Sequence, residues 1–278
     1  MTGMRAYRLA YDGRPFHGFQ RQPSVPTVED ALFDALRGLD VLDDDAAKPE
    51  GYAAAGRTDA GVSARAQTVA FRAPEWLSPR ALNSELPADA RAWASAPVPE
   101  EFHATHDARS REYVYFLHAP RDGAAGDGRE WDDDRARAAL DRLSGEHDFH
   151  NLTSDETGTV RDLSTSAERD GDFLVVRLRA GGFARQLVRR VVGLVREVAE
   201  GAAAMGKVER VLGPEPVEGP AGVAPAPAAP LVLWDVAYDV RFEVDEDAAE
   251  SAREVWRRRH AERSVGARVA GALRDGLG

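Results

Sequence analysis

The stretch AAAGRTDAGVSARAQ, residues 53–67, decides how the rest of the chain is organised. Gly56 and Gly61 bracket a triplet with two charged residues (RTD, 57–59), and an alternating segment, residues 67–71, follows. Glycine adopts positive φ and allows close backbone approach, so the pattern predicts two strands joined by a tight loop that holds its charged side chains in a fixed pose. The same pattern is also typical of a surface turn with solvated charges.

The segments around this stretch predict alternating strands and helices. Residues 5–11 (RAYRLAY) alternate and are rich in aromatic side chains, which predicts a first strand. Thr27 can cap a helix that runs to about residue 36, and Ser78-Pro79 is typical of the start of a second, short helix. With a strand over 91–98, the first half has the order β-α-β-β-α-β of a ferredoxin-like split unit.

The second half predicts a similar order of elements. The strand through residues 109–118 places Tyr113 on the same face as Tyr115 and Leu117. The elements expected after it are a loop over 123–128, a helix over 132–143, a hairpin of 160–169 with 173–179, a helix over 183–200 and a closing strand over 231–240. Residues 214–230 are proline-rich and read as a linker-like loop, and 247–277 predicts a long arginine-rich helix, either a solvated clamp or an RNA contact.

Composition excludes several classes of protein. The 278 residues contain no cysteine, which removes disulfides, thiolate zinc sites and cysteine nucleophiles. No apolar run is long enough for a membrane span, and the N-terminus enters a strand without the apolar stretch of a signal peptide. We therefore expect a cytoplasmic protein that does not bind a membrane.

The charge of the chain is strongly acidic, with a net charge of −11. Of its 36 basic residues, all but Lys48 and Lys207 are arginine. Abundant acid with almost no lysine indicates a salt-adapted protein, because acidic surfaces keep proteins soluble; a GC-rich genome that favours Arg and Asp codons explains the pattern equally well. Local arginine patches could still bind RNA on this background.

The central stretch resembles the signature loop of the TruA-type tRNA pseudouridine synthases. The residues that carry the resemblance are Gly56-Arg57-Thr58-Asp59, Gly61-Val62, Ala64 and Gln67. In that family the Asp is catalytic, which implies this role for Asp59. Ser63 departs from the His of bacterial members and is similar to eukaryotic-type relatives, so it bears on the subfamily.

Three further blocks are similar to the same family and occur in family order. They are YDGxxFxGxQxQ from Tyr11 to Gln22, RxYxY from Arg111 to Tyr115, and FxxxxVRxxVG from Phe183 to Gly193. The resemblance implies that Tyr113 lines a uracil pocket, that Arg189 forms a salt bridge with Asp59, and that the closing strand lies against the uracil. The residues expected to bind substrate or RNA are Arg57, Phe16, Gln20, Gln22, Tyr113, Arg109, Arg185 and Leu233. For the aromatic residues of the first block, simply covering the core is an equally good interpretation.

The family's reaction cuts the N-glycosidic bond of uridine, turns the uracil and rejoins it through carbon 5, with no cofactor or metal. The base must leave its stack, so the protein needs an RNA-binding surface and a pocket. Asp59 could attack the anomeric carbon or carbon 6, or remove a ribose proton. Arg189 would direct the carboxylate through hydrogen bonds, and Tyr113 would pack on the uracil and assist proton removal from carbon 5.

The resemblance also implies an architecture and partners. We expect an α+β fold of two ferredoxin-like halves, residues 1–104 and 105–245, whose antiparallel sheets join around a central cleft, followed by the helix in 246–278. The implied partners are the anticodon arm of tRNA, at positions 38–40, and a second copy of the chain. Broader uridine targets, a catalytically silent RNA-binding module and a glycosidase-like enzyme are the alternatives.

Two other patterns are set aside. Residues 201–207 imitate a phosphate loop, but Val208 replaces the magnesium-binding Ser or Thr and a helix precedes the segment. His103 and His106 with Asp107, and the pair His147 and His150, have spacings that could bind a metal, but no HExxH pattern accompanies them. We expect no metal site.

The acidic composition predicts that concentrated salt stabilises the protein. We expect the melting temperature to rise when KCl is raised to multimolar concentration, because screening relieves repulsion between the acidic groups. Thermal unfolding followed by circular dichroism over a KCl series measures this. A melting temperature that stays level or falls would leave codon usage as the explanation.

Overall fold

The computed structural model describes residues 2–120, 130–217 and 219–277. Two sets of elements follow each other along the chain. The first comprises β1 (Thr2–Tyr11), α1 (Val28–Gly38), β2 (Ala53–Ala54), β3 (Ser63–Pro74), α2 (Pro79–Glu85) and β4 (Ala90–Pro97). The second comprises β5 (Ser110–His118), α3 (Asp133–Leu143), β6 (Gly145–Asp148), β7 (Val160–Asp170), β8 (Phe173–Ala180), α4 (Leu187–Ala199), α5 (Gly206–Leu212), β9 (Leu231–Ala237), β10 (Glu243–Val244) and α6 (Glu246–Asp275).

Over the described residues, the strands form one mostly antiparallel sheet of ten strands. Its order is β10-β4-β1-β3-β9-β5-β8-β7-β6, with β2 paired to β3 beside this path. The two sets of elements pair at two places: β3 runs parallel to β9, over the pairs Ser63 with Val232 and Ala64 with Leu233, and β10 pairs with β4. The remaining strand pairs are antiparallel. A short parallel contact thus lies in the middle of a sheet that is otherwise antiparallel.

Local sequence explains where the helices begin. Thr27 accepts a hydrogen bond from the Asp30 N–H and caps α1, and Ser78 caps α2, whose first turn contains Pro79. Asp132 and Asp245 cap α3 and α6 in the same way. A side-chain oxygen at this position satisfies backbone N–H groups that have no partner within the helix. The caps predicted at Thr27 and Ser78 are confirmed.

The helices cover one face of the sheet in two groups. In the first half, Leu32 and Leu36 of α1 pack in a buried cluster with Tyr7 and Leu9 of β1. In the second half, α3 and α4 pack against β5, β7 and β8 in a separate buried cluster. Tyr113 of β5 packs against both clusters. A cleft between the two helix groups therefore lies above the junction of the sheets.

The helix predicted over 183–200 begins four residues later, at Leu187. Gln186, directly before it, has a left-handed backbone with φ of 57°, which a right-handed helix cannot include. Phe183 and Arg185 consequently lie in the loop that precedes α4. The loop predicted over 123–128 lies outside the described residues.

The segment predicted to be linker-like, residues 214–230, is attached to its surroundings. Ala226 exchanges hydrogen bonds with Arg189 of α4, and Tyr115 of β5 donates a hydrogen bond to the Pro227 carbonyl over 3.0 Å. The last prediction in this region, a strand over 231–240, ends earlier, at Ala237. The proline-rich composition therefore marks an extended segment that packs on the second half.

The first part of α6 is fastened to the first half of the chain. Arg259 and Arg263 both bind the carboxylate of Asp12, which is only 4% exposed, and Arg259 also pairs with Asp89 at 2.5 Å. Beyond these arginines, Val265, Val269 and Leu273 are exposed. The helix is thus attached to the first half of the chain as far as Arg263, and the residues after it carry exposed apolar side chains. Within the described residues, no helix is long and apolar enough to span a membrane.

The ion pairs of Asp12 with Arg259 and Arg263 make the stability of the protein depend on pH. Burial alone would raise the pKa of Asp12, but hydrogen bonds from Arg263 and from the Arg14 N–H outweigh burial and lower it from the ordinary 3.8. A carboxyl whose pKa is lower in the folded state stabilises the fold above its unfolded pKa and loses that effect as the pH falls through the folded value. We expect Asp12→Asn to reduce the free energy of unfolding by about 1–3 kcal/mol at pH 7.

Denaturant unfolding of both proteins at pH 7 and at stepwise lower pH measures this difference. The difference in free energy of unfolding between wild type and Asp12→Asn should become smaller as the pH falls below 3.8. Asp239→Asn, at the exposed pair with Arg109, is the matched control and should change stability by less than about 0.5 kcal/mol. A gap that is the same at every pH would contradict this origin of the stabilisation.

Candidate active site

Asp59 lies in the loop between β2 and β3, and the loop is anchored from below. The Thr58 hydroxyl is 2.7 Å from the hydroxyl of buried Tyr11, and Gln67 donates a hydrogen bond of 2.7 Å to the Gly56 carbonyl. The Val62 N–H closes a turn on the Asp59 carbonyl over 3.1 Å. Buried side chains of the sheet thus fix the loop, which excludes the interpretation of it as a plain surface turn.

The loop after β1 packs directly on the Asp59 loop. A Cβ on Gly13 would come within 2.1 Å of the Val62 carbonyl oxygen, so only glycine fits there. Gly18 has φ of 99°, and a Cβ on it would meet the Thr58 carbonyl oxygen at 3.0 Å. Gly13 also donates its N–H to the Ser63 hydroxyl over 3.0 Å. The two glycines of the YDGxxFxG block therefore support the Asp59 loop from outside.

Arg189 on the first turn of α4 reaches Asp59 from the other half of the chain. One terminal nitrogen donates to Asp59 Oδ2 over 2.8 Å, and Nε donates to the Ala226 carbonyl over 2.7 Å. The arginine side chain is 16% exposed and the aspartate side chain 40%. The structure thus brings together the two residues that the sequence predicted to pair, and it leaves the carboxylate accessible from the cleft.

The cleft is a cavity of about 1020 Å³ between the two helix groups. Asp59, Arg189 and Tyr113 lie on its wall together with Arg57, Gln20, Gln22 and Arg185. Tyr113 is half-buried, and the Phe183 ring stands edge-on to it with 5.1 Å between the centroids. Burial raises the pKa of Tyr113 to about 12; the nearby Arg111 opposes this and Asp59 reinforces it. The cavity therefore holds an accessible carboxylate, a guanidinium and a neutral phenol next to aromatic surface.

Three predicted binding residues lie elsewhere. Phe16 is 8% exposed and packs in the core of the first half, because the chain turns back between Gly13 and Phe16 and directs the ring inward. Leu233 is 1% exposed in the same core, and Leu231 lines the cavity in its place. Arg109 lies outside the cavity wall and pairs with exposed Asp239 at 2.6 Å. Phe16 and Leu233 are thus core residues, and Arg109 is an exposed residue outside the cavity.

Arg111, the first residue of the RxYxY block, supports the site from beside the cavity, and the sequence interpretation gave it no role. Its guanidinium donates hydrogen bonds to the carbonyls of Ala55, Thr105 and Gly181, at 2.7 to 3.1 Å. It thus ties the start of the Asp59 loop to the loop that leads to α4. Two features of the sequence pointed to Arg111: it opens the RxYxY block, and it lies two residues before Tyr113, so that both share a face of the strand.

The match with known families agrees with this geometry. Residues 139–239 match a family model described as tRNA pseudouridine synthase. The chain is 60% identical over 275 residues to tRNA pseudouridine synthase A of Haloarcula marismortui, covering 99% of this chain and all of the relative. The relative of the same name in Halobacterium salinarum is 59% identical, with 97% and 98% covered. The one in Methanosarcina barkeri is 38% identical, with 87% of each covered.

Fold and site together therefore define a pseudouridine synthase-type protein. The chain belongs to the tRNA pseudouridine synthase A family, and its salt-adapted composition agrees with its similarity to relatives from halophilic archaea. A solved structure of the archaeal box H/ACA sRNP Nop10–Cbf5 complex is more distantly similar. Its TM-score is 0.34 at 17% identity, over 69% of this chain and 44% of that chain, which is too low to bear on details of the fold.

Arg111 is expected to be essential for the shape of the site. Arg111→Met removes the donors of three carbonyl groups, and we expect it to lower the free energy of unfolding by about 2–4 kcal/mol and to impair turnover. Arg109→Met, two residues away at an exposed ion pair, is the control and should cost less than about 0.5 kcal/mol. Denaturant unfolding and turnover measure both variants, and equal behaviour of the two would refute the assignment.

Proposed function

We propose that the protein converts uridine to pseudouridine in the anticodon arm of tRNA, at positions 38–40, with Asp59 as the catalytic carboxylate. The observation that carries this proposal is the Asp59–Arg189 pair at 2.8 Å on the wall of a cavity that also contains Tyr113. Membership of the tRNA pseudouridine synthase A family supports the same reaction and substrate class. The protein is accordingly an isomerase.

The geometry supports separate tasks for the two carboxylate oxygens of Asp59. Arg189 binds Oδ2, so we assign attack on the substrate to Oδ1. In one route Oδ1 bonds to the anomeric carbon and the electrons of the glycosidic bond move onto the uracil. Carbon 5 of the turned base then displaces the carboxylate, loses its proton, and nitrogen 1 takes up a proton. Attack on carbon 6 and removal of a ribose proton are the other two routes.

Tyr113 and Arg189 provide the surroundings for this chemistry. With a pKa of about 12, Tyr113 is a neutral phenol at neutral pH, so it can pack on the uracil and donate a hydrogen bond. To assist proton removal from carbon 5, it would have to pass on its own proton at the same time. Arg189 supplies a fixed positive group that donates a hydrogen bond to the carboxylate and sets its direction.

Four further polar residues of the cavity fit contacts with RNA. Arg57, Gln20, Gln22 and Arg185 are exposed at the cavity, where guanidinium and amide groups can bind phosphate or base edges. We propose that Arg57, near Asp59 in the chain, contacts the RNA strand and fills the space that the flipped base leaves. No cofactor is needed for this reaction.

We also infer that the chain consists of two ferredoxin-like halves, residues 1–104 and 105–245, followed by the helix in residues 246–278. The strand orders β4-β1-β3-β2 and β9-β5-β8-β7 support this division, since each corresponds to the order 4-1-3-2 for a β-α-β-β-α-β unit. Following the family resemblance, we propose a cytoplasmic homodimer that presents one tRNA to both subunits.

The test is pseudouridine mapping on unmodified tRNA transcripts in concentrated KCl. We expect wild type to modify the anticodon arm, and Asp59→Asn to be slower by about 10³-fold or more while still binding tRNA. Asp239→Asn, at an exposed ion pair outside the cavity, is the matched control and should act like wild type.

Other results of this assay reject particular parts of the proposal. A wild type that binds tRNA but forms no pseudouridine at any salt concentration is a silent RNA-binding module. An active Asp59→Asn rejects Asp59 as the nucleophile. Modification outside positions 38–40 rejects the assigned target while retaining the reaction.

A further inference from the structure

The proline-rich segment GVAPAPAAP, residues 222–230, forms a strap along α4. At its start, Lys207 donates to the Gly222 carbonyl over 3.1 Å and Arg190 donates to the Val223 carbonyl over 2.7 Å. At its end, the Phe116 N–H donates to the Pro230 carbonyl over 3.1 Å. Proline fixes φ, so a segment with three prolines is stiff between these attachments.

The middle of the strap holds Arg189 by two hydrogen bonds. The Ala226 N–H donates to the Arg189 carbonyl over 2.9 Å, and Arg189 Nε donates back to the Ala226 carbonyl over 2.7 Å. The guanidinium is planar, so fixing Nε also fixes the direction of the terminal nitrogen that donates to Asp59 over 2.8 Å. The Ala226 carbonyl thereby aims the arginine at the aspartate.

The strap can lie this close only because residue 193 is glycine. Gly193 lies one turn after Arg189 on α4, and a Cβ on it would come within 2.3 Å of the Ala224 carbonyl oxygen. That atom belongs to the backbone of the strap, so it cannot rotate away as a side chain would. Any other residue at 193 must therefore push the strap, and with it the Ala226 carbonyl, away from α4.

We propose that Gly193 is a positioning residue of the reaction, acting through the strap. It allows the Ala226 carbonyl to hold Arg189 in the direction that places its guanidinium on Asp59. The proposal rests on the roles assigned to Asp59 and Arg189 under the proposed function. It adds a specific requirement: the strap acts on turnover through the orientation of Arg189, and contributes little to the affinity for tRNA.

The first test is Gly193→Ala, assayed for turnover and for tRNA binding. Alanine favours a helix over glycine, so helix propensity alone would make this change harmless. We expect kcat to fall about 10- to 100-fold, as for an angstrom-scale misplacement of a catalytic group, with KM within about twofold of wild type. Gly266→Ala in α6, where a Cβ meets nothing within 4 Å, is the matched control and should keep wild-type kcat.

A double-mutant cycle with Arg189→Lys separates positioning from general damage. Lysine has a single side-chain nitrogen, so it cannot donate to the Ala226 carbonyl through a second group while it reaches Asp59. In this variant the strap therefore no longer sets the direction of the side chain. We expect Gly193→Ala to lower kcat by less than about threefold in the Arg189→Lys background. The same factor in both backgrounds would overturn the proposal, because it would mean that Gly193 acts independently of Arg189.

The cycle also distinguishes this proposal from the proposed function. If Arg189→Lys alone has wild-type kcat, the assigned role of Arg189 fails, and the strap proposal fails with it. If Arg189→Lys is impaired and the Gly193→Ala effect is unchanged in that background, only the strap proposal fails. If Gly193→Ala does not fold, Arg190→Met replaces it, because this change removes the attachment of the strap at Val223. We expect it to lower kcat about three- to tenfold, and by a smaller factor in the Arg189→Lys background.

Discussion

The ion pair between Asp59 and Arg189 forms only if the two halves of the chain are held in one fixed arrangement. Asp59 comes from a loop of the first half and Arg189 from a helix of the second, and their atoms meet at 2.8 Å. Below this pair, β3 and β9 are joined over the register pairs Ser63 with Val232 and Ala64 with Leu233, and β10 pairs with β4 at the edge of the sheet. Both groups are partly exposed, so the pair contributes more to geometry than to stability. The site therefore depends on every contact that fixes one half against the other.

The opposite face of the sheet carries such contacts, and arginine makes them. Arg65 lies between the rings of Trp93 and Trp234, at 5.3 and 5.2 Å, and Arg8 pairs with Asp235 at 2.6 Å. Concentrated salt screens exposed charges, but a guanidinium stacked on indole rings also gains from dispersion and from weak hydration. Lysine is a strongly hydrated point charge and offers less of this. A junction built from arginine and tryptophan is thus suited to salt in a way that lysine–carboxylate pairs are not.

Local patterns predicted the longer strands, the caps at Thr27 and Ser78 and the Asp59 loop, but not β6, β10 or α5. Contacts between distant segments decided the rest. The left-handed Gln186 that delays α4 is held by its neighbour Arg185. The Arg185 carbonyl accepts from Thr153 over 3.0 Å and its N–H donates to Asp155 over 2.7 Å. The helical periodicity of the sequence does not reveal these two hydrogen bonds. In the same way, the sequence predicted a closing strand over 231–240, but only the packed sheet shows that Leu233 is in the core of the first half, whereas Leu231, also buried, reaches the cavity wall.

The acidic charge of the chain and an RNA substrate are compatible once the distribution of charge is considered. Binding through phosphate contacts loses affinity steeply as salt rises, so a protein adapted to salt gains little from a broadly basic surface. Interactions that resist salt are stacking, hydrogen bonding and shape, and the cavity offers them through Tyr113, Phe183, Gln20 and Gln22. Its arginines are few and local: Arg57, Arg185 and Arg189. Positive charge is needed where the reacting nucleotide is held, and acidic charge elsewhere keeps the protein soluble without weakening that site.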